Sequence, residues 1–207
     1  MALMIGAAAA GGLLLGVALD AFAHRPPRAI SPAGPVCTAA LFAAVAAVHH
    51  DDVPKLVLGL VLVAFLVPLT LIDLELRLLP NRLTGPAAAI AIALGVVLDP
   101  GGEIERLIAA TVAGAFFFVA WYFRPGGMGF GDVKLVAVLG LFLGPSVAVA
   151  LLIALSCGVL VGGVIVRRLG LAAGRKQAVP FGPFLALGGV VAVLVGDPIF
   201  DAYLKTF

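Results

Sequence analysis

Charge is what this 207-residue chain has least of: Asp, Glu, Lys and Arg together make up 12%, against 63% hydrophobic residues. A soluble domain of this length needs far more polar surface. With a mean hydropathy of +1.22 the chain belongs in a lipid bilayer, and no part is left over for a folded soluble domain. The net charge is only +2, and the basic residues fall in short loops rather than a stripe, so nothing points to nucleic acid. Cysteine is scarce as well. Cys37 and Cys157 lie in separate apolar segments with no C-x-x-C pair and read as small hydrophobes. Histidine numbers three. His49-His50-Asp51-Asp52 contains metal-ligand types, but adjacent histidines point to different sides of a helix, so the run reads as a solvated loop and no metal is expected. No glycine-rich loop of the adenosylmethionine type is present, and no cofactor is expected.

What is present is apolar length. A spanning helix needs roughly 20 apolar residues, with about 17 as the lower limit. Eight segments are expected: Ala2–Phe22, Val36–Val48, Leu56–Ile72, Ala87–Leu98, Ile104–Phe123, Val133–Leu143, Pro145–Val166 and Val179–Val195. The first lacks a basic n-region and reads as a first membrane helix rather than a signal peptide. The second, fourth and sixth are short, as tilted helices or buried half-helices would be. Breakers separate the segments: Arg25-Pro26-Pro27, Asp99-Pro100-Gly101-Gly102, Arg124-Pro125-Gly126-Gly127 and Gly144-Pro145. With no fixed-period repeat and no dividing linker, the expectation is one all-α, polytopic domain over residues 1–207 with about eight membrane segments, and six to eight as the range.

Charge placement tests that count. With the N-terminus outside, Arg25, Arg28, Arg77, Arg82, Arg124, Lys134, Arg167, Arg168, Arg175 and Lys176 fall on the cytoplasmic side, and Lys55, Arg106 and Lys205 outside, a division of ten to three. The acids Asp51, Asp52, Asp99, Glu103, Glu105, Asp197 and Asp201 collect outside. Reading 133–166 as one helix would put Arg167 and Arg168 on the wrong side.

Asp73 and Asp132 break that pattern. Asp73 ends the third segment and Asp132 opens the sixth, within Gly129-Phe130-Gly131-Asp132. Two expected spans separate them, so both emerge on the cytoplasmic face. Ionisable groups at the edge of a membrane helix are costly and mark functional sites by default. Two carboxylates a few ångströms apart do not easily both ionise; one can deprotonate a water while the protonated partner hydrogen-bonds a carbonyl. Gly129 and Gly131 would let a substrate strand or a partner helix approach the backbone closely. On spacing alone a second reading stays open, with Asp132 a helix N-cap and Asp73 an interfacial anchor paired with Arg77 or Arg82.

The flanking residues favour the first. Ile72-Asp73-Leu74-Glu75-Leu76-Arg77-Leu78-Leu79-Pro80-Asn81-Arg82-Leu83-Thr84 resembles the first catalytic-aspartate motif of the type IV prepilin leader peptidases. Gly127-Met128-Gly129-Phe130-Gly131-Asp132-Val133-Lys134-Leu135 resembles their second, the G-x-G-D motif. Pro180-Phe181-Gly182-Pro183-Phe184-Leu185-Ala186-Leu187-Gly188-Gly189 is similar to the start of their last helix. The resemblance runs from Leu56 to Val195, about two-thirds of the chain. It implies an aspartic endopeptidase in the bacterial cytoplasmic membrane that removes basic leaders from prepilins or pseudopilins of a pilus or secretion system. Asp73 and Asp132 would be the catalytic acids, Gly129 and Gly131 would shape the loop, and Lys134 would steady Asp132 or a backbone carbonyl, or snorkel at the interface.

Two departures are visible. Many members carry an aspartate where this chain has Asn81. Bifunctional members also carry a cysteine-containing insert between the first two helices, whereas the connection here, His24–Pro35, has no C-x-x-C, so methylation of the product is not expected. Glu75 reads either as a contact for a basic leader or as a solvated helix end. Two rivals use the same aspartates: a presenilin-like protease, which typically has a tyrosine beside its first aspartate where this chain has Ile72 and Leu74, and a proton-coupled transporter, which would place its acids at mid-membrane. Self-association into a homo-oligomer stays open, as does an inactive structural role.

Overall fold

Lipid offers no hydrogen-bonding partners, so an apolar backbone must satisfy itself internally, and helices are the simplest way. The computed structural model describes residues 1–23, 33–124, 128–170 and 179–206. Among them are eight α-helices and no strand: α1 Ala2–Ala23, α2 Ala33–Val48, α3 Val53–Leu76, α4 Asn81–Leu98, α5 Glu103–Phe123, α6 Phe130–Leu143, α7 Val147–Leu169 and α8 Gly182–Leu204, with a 3-10 turn at Gly144–Ser146. The all-α class stands. The expectation of about eight membrane segments is met only in part, because five stretches are long and apolar enough to cross a membrane, and Phe130–Leu169 is one of them. The described side chains of the first two helices form shorter apolar stretches, Ala2–Ala18 and Gly34–Val48.

Phe130–Leu169 is not one straight helix. Its 40 residues would reach about 60 Å at 1.5 Å per residue, twice a hydrocarbon core of about 30 Å. The break falls at Gly144, at φ 57° and ψ −139°, a conformation few residues other than glycine adopt, followed by Pro145. The chain then doubles back. Ser146, at the start of α7, bonds Asp197 near the end of α8, whereas Gly158, further along α7, faces Phe181 just before α8 begins.

α3 is the central element and packs against α1, α2, α4, α6 and α8. Its N-terminus is fixed by Asp52, whose Oδ1 accepts the Lys55 N–H at 3.0 Å, with Pro54 in the first turn. Leu58, Leu62, Leu66 and Leu69 line the buried face that it contributes to the core. Small residues let the other pairs close: a Cβ on Gly140 of α6 would fall on the Ala110 backbone of α5, and one on Gly188 of α8 would meet the Ala150 carbonyl of α7. The glycines of α7 do not serve this purpose: Gly162 and Gly163 face open space, and Gly158 has only Phe181 as a neighbour.

The end of the bundle away from Asp73 carries a polar network. Arg106 donates from Nε to Glu103 at 3.1 Å, from Nη1 to Asp99 at 2.7 Å and from Nη2 to the Asp99 carbonyl at 2.6 Å. Lys55 pairs with Asp197 at 2.7 Å. His49, expected in a solvated loop, is instead half-buried with Nε2 2.6 Å from the Val193 carbonyl, because the end of α2 docks on α8. Of the ten basic residues expected on the Asp73 side, Arg77, Arg82, Arg124, Lys134, Arg167 and Arg168 are at that end. Arg25, Arg28, Arg175 and Lys176 lie outside the described residues, as do His24, most of the His24–Pro35 connection, and Pro125–Gly127.

Candidate active site

Asp73 sits in the last turn of α3 and Asp132 in the first turn of α6. Both side chains are buried, at 5% and 8% exposure, although each belongs to the end of a helix. The two carboxylates lie within electrostatic reach of one another. α3, α6 and α8 hold them there.

Each carboxylate is anchored through one oxygen. Asp73 Oδ2 accepts the Gly182 N–H at 3.0 Å, so the start of α8 closes over it. The N-terminal end of a helix presents unpaired N–H groups and a positive dipole end, a fitting seat for a carboxylate. Asp132 Oδ2 accepts the Gly129 N–H at 3.2 Å. Gly129 is the N-cap of α6 and Asp132 its third residue, so Asp132 is not the N-cap; its carboxylate instead reaches back to the N-cap N–H, the one side-chain cap bond that a glycine N-cap permits. The alternative partners proposed for Asp73 do not engage it: neither Arg77 nor Arg82 comes within ion-pair distance. Among the described residues no group of three or more His, Cys, Asp or Glu side chains is arranged to hold a metal.

The glycines do local work. A Cβ on Gly131 would lie 2.8 Å from the Leu79 Cβ, so the close approach that Gly131 permits is to the connection between α3 and α4. A Cβ on Gly182 would lie 2.6 Å from Asp73 Oδ2. Sequence reasoning placed Gly182 in the third motif without assigning it to the site; the Phe181-Gly182-Pro183 run was the signal, a small residue next to a helix-starting proline.

Lys134 requires a correction. Rather than reaching Asp132, its Nζ donates to Asn81 Oδ1 at 2.8 Å and lies 4.8 Å from the Phe130 ring centroid. The reason is helical phase: two residues on from Asp132, the lysine projects from a different face of α6, toward the start of α4. Phe117 is buried and stacks on Phe181 at 6.2 Å between centroids, while its neighbours Phe116 and Phe118 are exposed.

These two aspartates fall inside the region, residues 60–166, that matches the model of the type IV leader peptidase family. The chain belongs to the type IV leader peptidase family. Similar proteins include the prepilin leader peptidase/N-methyltransferase of Bacillus subtilis (strain 168), 31% identical over 175 residues, covering 84% of this chain and 69% of the relative. Its namesake from Aeromonas hydrophila is 35% identical over 158 residues, covering 72% of this chain and 53% of the relative. That of Stutzerimonas stutzeri is 34% identical over 150 residues, covering 68% and 50%. This family member therefore spans from about half to about two-thirds of the length of these relatives. No solved structure matches it. Its apolar helices make it a membrane protein.

Proposed function

We propose that this chain is a membrane-embedded aspartic endopeptidase that removes the basic leader from prepilin or pseudopilin precursors, with Asp73 and Asp132 as its catalytic pair. The observation that carries the reading is the convergence of two buried carboxylates from α3 and α6 at one end of the bundle. The names of its relatives support it. The pair sits at helix ends rather than at mid-bundle, which favours cleavage at the membrane surface over a carrier role. In this reading the chain is one integral-membrane domain of the bacterial inner membrane, with the basic end of the bundle and the site facing the cytoplasm.

Chemically, one carboxylate in its ionised form takes a proton from water, and the hydroxide adds to the scissile carbonyl carbon. The protonated partner donates a hydrogen bond to the carbonyl oxygen. Collapse of the tetrahedral intermediate breaks the C–N bond as a proton passes to the leaving amine. The bonds from Gly182 and Gly129 engage Oδ2 of each aspartate, which leaves Oδ1 of each for the water and the carbonyl. The relatives' names also carry an N-methyltransferase activity; we assign this chain proteolysis alone, because its sequence has neither paired cysteines nor an adenosylmethionine-type loop. Transfer of a labelled methyl group by the purified enzyme would overturn that restriction.

The test is cleavage in membranes of a pilin precursor whose basic leader ends in glycine, read by product mobility and new N-terminus. Wild type is expected to cut after the glycine. Asp73→Asn and Asp132→Asn should each lower the rate by about 100- to 10,000-fold. Variants that cut as well as wild type would sink the aspartic mechanism, and an inert wild type would sink the substrate assignment.

A further inference from the structure

The two aspartates are braced unequally. Asp73 belongs to the central helix and is held by the start of α8. Asp132 stands in the first turn of a 14-residue helix that meets α3 sparingly and packs more on α4 and α5. Besides its contact with α8, its tie to Asp73 runs through the segment that follows Asp73 in the chain. That segment is tightly built. Arg77 closes α3 in a left-handed conformation, φ 53°, with its N–H on the Asp73 carbonyl at 2.9 Å. Leu79 lies against Gly131, and Asn81, the first residue of α4, accepts from Lys134 at 2.8 Å. A cation so near a helix N-terminus opposes the dipole of α6, so helix stability does not account for Lys134, whereas a bond to α4 does.

We propose that Asn81 and Lys134 are a positioning pair, a clamp from the start of α4 to the first turn of α6 that sets the separation of Asp73 and Asp132. Neither touches the reacting atoms. The proposal rests on the reading of the two aspartates as a catalytic pair, and its test separates the two. Using the same glycine-ending pilin precursor in membranes, Asn81→Leu and Lys134→Met should each lower kcat by about 10- to 100-fold, the scale of a misplaced catalytic group. KM should stay within about twofold. Asn81→Asp, which keeps the acceptor, and Lys134→Arg, which keeps the donor, should recover most of the loss. The double variant Asn81→Leu/Lys134→Met should be no worse than either single one, since a pair broken once is not broken again.

A second readout needs no substrate. With Cys37 and Cys157 replaced by serine, Asp73→Cys/Asp132→Cys is probed with thiol crosslinkers of graded length. Adding Asn81→Leu should shift the best-reacting crosslinker to a different length or broaden the distribution. If the single variants keep kcat, if their losses simply add, or if the crosslinking span is unmoved, the clamp is wrong while the catalytic pair stands. If wild type cleaves nothing, the catalytic reading fails and the crosslinking span alone decides whether the clamp exists.

Discussion

At Gly182 the side chain is missing for a reason that can be measured. Its N–H reaches Asp73 at 3.0 Å, and a Cβ there would stand 2.6 Å from the same carboxylate oxygen. Gly182→Ala should push α8 off Asp73 and lower kcat by about 10- to 100-fold with little change in KM, checked by steady-state cleavage kinetics. Gly163→Ala is the matching control. Its Cβ would point into open space, so the same substitution should leave cleavage unchanged and, in a helix interior, raise stability by up to about 1 kcal/mol. Together the two variants separate a glycine that the site needs from one that it does not.

Among the elements, α6 and α7 are defined by where they part. Gly144, at φ 57° and ψ −139°, lets the chain reverse and brings Ser146 to Asp197. Gly144→Ala should destabilise the protein by about 1–3 kcal/mol through backbone strain, measured as a lower unfolding midpoint in detergent. Gly140 is where α6 meets α5, and a Cβ there would fall on the Ala110 backbone. Gly140→Val should therefore pry the pair apart and cost at least the roughly 1–3 kcal/mol of an overpacked core. Because α5 and α4 carry α6, and α6 carries Asp132, the same variant should also lower cleavage per folded molecule.

Over the whole molecule, the two ends have different tasks. The end with the aspartates gathers Arg77, Arg82, Arg124, Lys134, Arg167 and Arg168, and the opposite end is locked by Arg106, Lys55 and their acids. The Arg106 guanidinium bonded to Asp99 holds that carboxyl below the usual carboxylate range. Its contribution to stability is therefore present above the unfolded value of about 3.9 and is lost as pH falls through the lower folded value. Asp99→Asn should leave cleavage kinetics unchanged and lower stability at neutral pH by about 1 kcal/mol, a modest figure because the Asp99 side chain is 42% exposed. Measured against pH, the gap between wild type and Asp99→Asn should close below about pH 4.

Much of this was readable along the chain. Apolar composition decided a helical membrane protein, because lipid leaves an apolar backbone few other solutions. The two aspartates stood out as acids on the face opposite most of the others, and local motifs around each tied them to one family. What the sequence did not show is which way each helix turns. These helices are apolar nearly all round, and without a polar stripe no periodicity marks the buried face. So Phe117 inside with Phe116 and Phe118 outside, Gly140 rather than Gly162 or Gly163 at a helix contact, and His49 on the Val193 carbonyl were decided only by packing. The same holds at the site. Asp73 meeting Gly182 and Lys134 meeting Asn81 join residues far apart in the chain, and only the tertiary arrangement of α3, α4, α6 and α8 brings them together.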